Sequence, residues 1–169
     1  MTALSTETVD IILANPLDLI EQIVAANEWT YERDGDDEIS IAIAGSWCEY
    51  HLRFYWREGD NALQVACAYD MKVPSQKRKA IYETLAIINE RMWMGHLEVW
   101  AEEGALMFRH SAFIDNDGSG LSVAHAEMLI ELAINECERF YPVFQFVIWA
   151  GKSPEEAIQC AMLETMGEA

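Results

Sequence analysis

The segment Asp115–Gly120 carries oxygen-bearing side chains at the spacing of a calcium-binding loop. Its residues, Asp-Asn-Asp-Gly-Ser-Gly, match the start of an EF-hand loop, which places oxygen ligands at positions one, three and five and glycine at six. The twelfth position should bring a bidentate carboxylate, but Ala126 stands there and Glu127 follows one residue late. Because the ligand set is incomplete, we predict a polar loop leading into a helix, without a bound metal or other cofactor.

The histidine and cysteine side chains form no motif for catalysis or zinc binding. Zinc ligands occur at short spacing on one face of an element, whereas the four histidines are scattered, at His51, His96, His110 and His125. Cys48 and His51 would point to opposite faces of one strand, which excludes them as a nucleophile and its base. The four cysteines contain no Cys-x-x-Cys pair and are predicted to be free thiols in a reducing compartment. We therefore expect that the protein is not an enzyme.

The charge of the chain limits its partners. Asp and Glu number 29 against 11 Lys and Arg, which gives a net charge of -18. A protein that binds nucleic acid or an anionic lipid surface requires clustered cations instead. The one basic run, Lys77–Lys79, is predicted to be a solvated helix start. The first residues lack a basic region and include Glu7 and Asp10, so we predict no secretory signal and a cytoplasmic protein. Protein partners are expected, with no nucleic acid and no membrane.

Residue periodicity predicts a short N-terminal segment, 1–14, followed by a single α+β domain, 15–169. Helical spacing and capping residues predict four helices, over about 16–27, 74–92, 121–139 and 153–165, with Pro142 kinking or restarting the third. Alternation of apolar and polar residues predicts strands at about 39–44, 48–57, 63–69, 97–101 and 106–114. Because strands and helices do not alternate regularly, we expect an antiparallel five-stranded sheet with helices packed on it.

Aromatic residues recur on the polar face of this predicted sheet. Trp47 and Tyr55 share that face of the second strand with Arg53, and Trp100 has the same phase on the fourth. Since Trp, Tyr and Arg are enriched at protein interfaces, the candidate partner-binding face consists of Trp47, Arg53, Tyr55 and Trp100. The alternative is that a further helix or a dimer mate covers this face. The segment Val143–Trp149 is apolar all round, so it must be buried inside the domain or in a subunit interface.

Six segments together resemble the bacterial YbjN-domain family: Asn15–Asp18, Asp70–Pro74, Asn89–Trp93, Cys137–Pro142, Gly151–Ala157 and Glu164–Ala169. The resemblance extends from about residue 15 to the end. It implies a fold like that of type III secretion chaperones, which are acidic α+β homodimers that hold partner segments. It also implies the description "putative sensory transduction regulator". The family brings no catalytic motif, so it implies no catalytic or cofactor-binding residues here.

Three functions follow as predictions. The first is a non-enzymatic protein-binding or chaperone-like regulator, a homodimer that acts through the aromatic sheet face. The second is a small-ligand sensor or uncharacterised enzyme with a pocket between the sheet and the C-terminal helices, where His110 or Tyr141 would supply polar groups. A structural subunit of a larger assembly is a third.

Overall fold

The computed structural model describes residues 15–115 and 120–167, with side chains described as far as residue 162. The helices are α1 (Pro16–Ala26), α2 (Arg78–Arg91), α3 (Val123–Ile148) and α4 (Pro154–Gly167). The strands are β1 (Thr30–Asp34), β2 (Glu38–Ala44), β3 (Glu49–Arg57), β4 (Ala62–Lys72), β5 (His96–Trp100) and β6 (Ala105–Phe113). Most of the calcium-like motif, residues 116–119, lies outside the described residues.

The strands form one antiparallel sheet in the order β1-β2-β3-β4-β6-β5. The predicted α+β class is confirmed, but the sheet has six strands, so the predicted number of five is wrong. The additional strand is β1, whose two helix-facing positions hold Tyr31, which is 38% exposed, and Arg33. Arg33 reaches α1, where it pairs with Asp18 at 3.2 Å and Glu21 at 3.4 Å. With one aromatic and one charged residue on its inner face, this strand shows no run of alternating aliphatic residues in the sequence.

Local signals account for the helix ends. Asn15 caps α1, because its side-chain oxygen accepts the Leu17 backbone N–H at 2.9 Å. After α2, Gly95 has a φ of +69°, and a Cβ there would lie 2.4 Å from the Phe108 ring. Helix α3 is a single helix of 26 residues that includes Pro142, so the predicted restart is wrong. Proline removes one backbone hydrogen bond, while buried apolar residues on both sides keep the helix packed.

The helices cover one face of the sheet, which we term the inner face. Tyr50, Leu52 and Phe54 of β3 are completely buried there and share one core with helix residues. Most of the apolar segment in α3 joins this core inside the domain, although Trp149 is 63% exposed. Among the described helices, none is both long enough and apolar enough to cross a membrane.

The opposite side of the sheet, termed the outer face, consists of every second residue of each strand. In each strand the series starts at the first outward-pointing residue, which is Thr30 in β1, Glu38 in β2, Glu49 in β3, Ala62 in β4, His96 in β5 and Ala105 in β6. They are exposed or half-buried, apart from Met107, which is 6% exposed. Within the described part of the chain, the outer face is therefore open to solvent.

Candidate protein-binding face

Small side chains occupy the middle of the outer face. Ala62, Ala66 and Ala68 point outward from the central strand β4. The register aligns Ala66 with Arg53 on β3 and Arg109 on β6, so the two guanidinium-bearing residues flank it two strands apart, about 10 Å. The result is a shallow trough in which another polypeptide can approach the sheet backbone closely.

Arg53 and Tyr55 form one charged side of this trough. Arg53 Nη1 lies 3.8 Å from Glu38 Oε1, and the Arg53 side chain remains 57% exposed. Hydrogen bonding to Tyr55 raises the pKa of the Arg53 guanidinium. Arg53 is thus a fixed positive charge that can bind a carboxylate or a backbone carbonyl of a partner.

On the other side of the trough, Glu98 organises what we term the Glu98 cluster: His96, Glu98, Trp100 and Arg109. Glu98 Oε1 accepts the indole N–H of Trp100 at 3.0 Å and lies 3.2 Å from Arg109 Nε. Its Oε2 accepts Arg109 Nη2 at 3.2 Å and lies 3.3 Å from His96 Nε2. These bonds hold the half-exposed Trp100 ring in place at the sheet edge, which suits an aromatic anchor for a partner.

The structure places three of the four predicted residues on the outer face. Arg53 and Tyr55 lie on β3 and Trp100 on β5, three strand spacings, or about 14 Å, apart across the sheet. The register displaces Trp100 by a further four residues from Arg53 along the strands, or about 13 Å. A single side chain from a partner cannot reach across this distance. The three residues therefore define a surface and do not define a pocket.

Trp47 lies elsewhere, so its predicted position is wrong. It belongs to the β2–β3 turn, before β3 begins, and its ring stacks on Tyr141 of α3 with centroids 5.8 Å apart and planes at 7°. The turn is tied to α3 because Ser46 N–H donates to Glu138 Oε1 at 2.6 Å. Extending the alternation of β3 back to Trp47 was the error, since strand pairing stops at Glu49.

Phe113 is an outer-face residue that the sequence prediction missed. It is 82% exposed at the end of β6, on the same face as Arg109. The signal was available, because Phe113 is out of phase with Phe108 and His110, which point to the inner face. A large exposed aromatic residue beside a charged trough strengthens the case for an interface.

The other sequence candidates do not converge. Among the side chains that the structure describes, in residues 15–115 and 120–162, no three His, Cys, Asp or Glu are placed to hold a metal ion. His51 lies on the outer face, whereas Cys48 is half-buried in the turn, where burial raises the pKa of its thiol. They do not form a catalytic pair.

The chain is similar in sequence or in fold to known proteins. Residues 16–146 match the family model YbjN, described as "Putative bacterial sensory transduction regulator". The chain is similar to one in the crystal structure of the ExsC-ExsE complex, with a TM-score of 0.55 and 12% identity over 73% of this chain and 88% of that one. It is also similar to YbjN from E. coli, with a TM-score of 0.49 and 12% identity over 75% of this chain and 93% of that one. A search of curated proteins found no match.

The family match covers most of the chain but ends within α3. The segments Gly151–Ala157 and Glu164–Ala169, which contributed to the resemblance in the sequence, lie beyond residue 146. The likeness to the ExsC chain, at 12% identity, shows a shared fold and does not show a shared function.

Proposed function

The chain belongs to the YbjN family of bacterial proteins, and from that premise we propose that it is a non-enzymatic, chaperone-like regulator that binds a protein partner on the outer face of its sheet. The partner is an amphipathic polypeptide segment. In the cell the protein acts in sensory transduction or stress regulation through this binding.

The open outer face is the observation that carries this proposal. Aromatic side chains are available on it, with Trp100 at 46% and Phe113 at 82% exposed. The face also holds Arg53, Arg57, Lys72 and Arg109, four of the eleven Lys and Arg in a chain of net charge -18. A surface that combines aromatic anchors with arginine has the composition of a protein-binding site.

A fold neighbour supports this use of the fold. ExsC was solved in complex with a second protein, ExsE. We take protein binding as the common use, and we leave the identity of the partner to experiment.

The proposal includes a homodimer in the cytoplasm. Cys48, Cys67, Cys137 and Cys160 are all free, which suits a reducing compartment. Light scattering after size-exclusion chromatography should give twice the chain mass of 19.2 kDa. A monomer at all accessible concentrations would remove the dimer from the proposal without affecting the binding face.

Affinity purification from the native cytoplasm, read by mass spectrometry, tests the binding face. We expect a specific partner to copurify with the wild-type chain. The triple variant Arg53→Ala, Tyr55→Ala, Trp100→Ala should lose most of that partner while its circular dichroism stays unchanged. Trp149→Ala is the control, because Trp149 is as large as Trp100 and more exposed, at 63% against 46%, but lies at the C-cap of α3.

Equal recovery of the partner by the triple variant and the wild type would place the interaction elsewhere. Loss of the partner with Trp149→Ala alone would assign it to the helix side of the molecule. Either outcome contradicts the proposed face.

The alternative function required a pocket with His110 or Tyr141 as polar groups. A cavity does lie near the C-terminal helices, but its polar lining is Arg91 and Arg139. This cavity is lined by residues of α2, α3 and α4 and by no strand residue, so it is a different pocket from the predicted one.

A further inference from the structure

A cavity of about 230 Å³ lies between α2, α3 and α4. Its walls are mainly apolar, with Ile87 from α2, Phe140 and Val143 from α3, and Ile158 from α4. Val143 is 2% and Ile158 9% exposed, so the deep part of the cavity is continuous with the core. These residues come from three helices on the inner-face side, away from the proposed protein-binding surface.

Two arginines line this apolar cavity. Arg91 is exposed in the last turn of α2, and Arg139 extends from the facing helix α3. The Arg139 side chain is 59% exposed, with Glu136 at 3.8 Å and its guanidinium 4.9 Å from the centre of the Phe140 ring. The Arg139–Glu136 separation of 3.8 Å is longer than a hydrogen bond, and the Glu136 side chain is 21% exposed. The Arg139 guanidinium therefore keeps N–H donors that a bound carboxylate can accept while Glu136 stays in place.

We propose that this cavity binds an amphipathic carboxylate of medium chain length, with its aliphatic chain between the helices and its carboxylate between Arg91 and Arg139. Charge complementarity selects the head group, since these are two cations in a chain with 29 acidic residues. Guanidinium groups bind carboxylates through paired hydrogen bonds.

The cavity volume sets the chain length. An apolar cavity of about 150 Å³ accepts benzene, with six carbons. By the same ratio, this cavity of about 230 Å³ holds about nine. Decanoate, which carries nine carbons beyond its carboxyl carbon, is therefore the probe of choice.

Isothermal titration calorimetry of the full chain with decanoate tests the proposal, with the melting temperature as a second readout. We expect saturable binding of one decanoate per chain and a rise in melting temperature with decanoate concentration. 1-Decanol, which has the same chain and no charge, should bind at least about tenfold more weakly, because it lacks the ion pairs.

Two variants separate the head-group site from the chain site. Arg91→Gln with Arg139→Gln should weaken decanoate binding by about tenfold or more while decanol binding stays the same. Ala161→Leu adds bulk to the cavity wall and should abolish binding of both probes while the chain stays folded.

Three results would overturn the proposal. The first is no saturable decanoate binding, and the second is equal decanoate binding by the double-arginine variant. The third is a dimer that Ala161→Leu converts to monomer, because the occupant would then be a second copy of the chain. All three leave the outer-face proposal intact.

Discussion

The thiols of Cys67 and Cys137 lie in the core between β4 and α3. Both residues are completely buried, and Cys137 Sγ lies 3.8 Å from the Cys67 carbonyl oxygen. Two causes raise the pKa of the Cys67 thiol well above its usual value: mainly a hydrogen bond with Cys137, and secondly burial. Since reagents cannot reach a completely buried thiol, both cysteines should be inert while the chain is folded.

Alkylation with iodoacetamide, mapped by mass spectrometry, tests this expectation. In the native protein we expect modification at the half-buried Cys160 and slower modification at Cys48, whose thiol pKa is raised by burial. Cys67 and Cys137 should react only after unfolding in urea. Modification of either one in the folded chain would contradict the described core.

His110 links the stability of the fold to pH. Burial on the inner face of β6 is the main cause that lowers the pKa of His110 below its usual value, and charge repulsion from His125 and His96 adds to it. A lowered pKa means that the unfolded chain takes up this proton at a higher pH than the folded chain. The contribution of neutral His110 to the free energy of unfolding is therefore complete above a pH of about 6.5, and it is lost as the pH falls below that value.

We expect the free energy of unfolding to fall less between pH 7.5 and 5 in His110→Gln than in the wild type. Urea denaturation at both pH values measures this difference. His51→Gln, a change on the exposed outer face, is the matched control. If the two variants lose stability equally over this range, His110 is not the group that titrates.

Side-chain direction within strands was predictable, and residues next to strand ends were the exception. The phase of alternation correctly placed Arg53 and Tyr55 outward, because period two is a property of the strand itself. Trp47 failed because the end of a strand depends on its partners, here the contact between the turn and Glu138 of α3. A contact 92 positions away in the chain leaves no local pattern.

At the scale of elements, Asn89 joins α2 to the edge strand β5. Its side-chain Nδ2 donates to the Leu97 carbonyl at 2.9 Å, and its Oδ1 accepts the Leu97 N–H at 2.9 Å. The amide thus satisfies both backbone groups that β5 presents at this position on the side away from β6. An edge strand with satisfied backbone groups is less prone to pair with another chain.

Asn89→Ala should lower the free energy of unfolding by about 1–3 kcal/mol, because it leaves two backbone groups unpaired. Asn89→Asp is the matched variant, since it keeps the acceptor for the Leu97 N–H and loses the donor. Urea denaturation should rank the wild type first, Asn89→Asp second and Asn89→Ala last. Unchanged stability in Asn89→Ala would mean that water replaces both bonds without cost.

The predicted elements were those whose signals are local. Helix α1 begins with its Asn15 cap and Pro16, and β2 and β3 alternate strictly between apolar and polar residues. Strand β1 was missed because one of its two inner positions is an arginine paired with α1, a tertiary contact. The continuous α3 was missed for a similar reason, since packing on both sides of Pro142 outweighs a local helix-breaking preference.

At the scale of the whole molecule, β6 carries one phenylalanine on each face of the sheet, and the two differ in burial. Phe108 is completely buried on the inner face, and Phe113 is 82% exposed on the outer face. Phe108→Ala should cost about 3–5 kcal/mol of stability. Phe113→Ser should change stability by less than about 0.5 kcal/mol but reduce recovery of the partner. A strong loss of stability in Phe113→Ser, measured by urea denaturation, would mean that the outer face is a covered part of the fold.

An antiparallel sheet with helices packed on it was predicted from the sequence, but its strand order and the extent of its open face were not. Periodicity distinguishes two faces of a strand, yet it cannot show whether a helix or a second chain covers the polar one. Only the order β1-β2-β3-β4-β6-β5 brings Arg53 and Arg109 to either side of Ala66. The trough is therefore a property of topology.

Site-specific photocrosslinking in the native cytoplasm tests the central proposal most directly. The crosslinker p-benzoylphenylalanine replaces Tyr55, Trp100 or Trp149 in separate variants, and crosslinked proteins are identified by mass spectrometry. We predict that the positions of Tyr55 and Trp100 capture the same partner polypeptide and that the position of Trp149 does not. Capture from Trp149 alone, or different proteins at Tyr55 and Trp100, would contradict binding on the outer face.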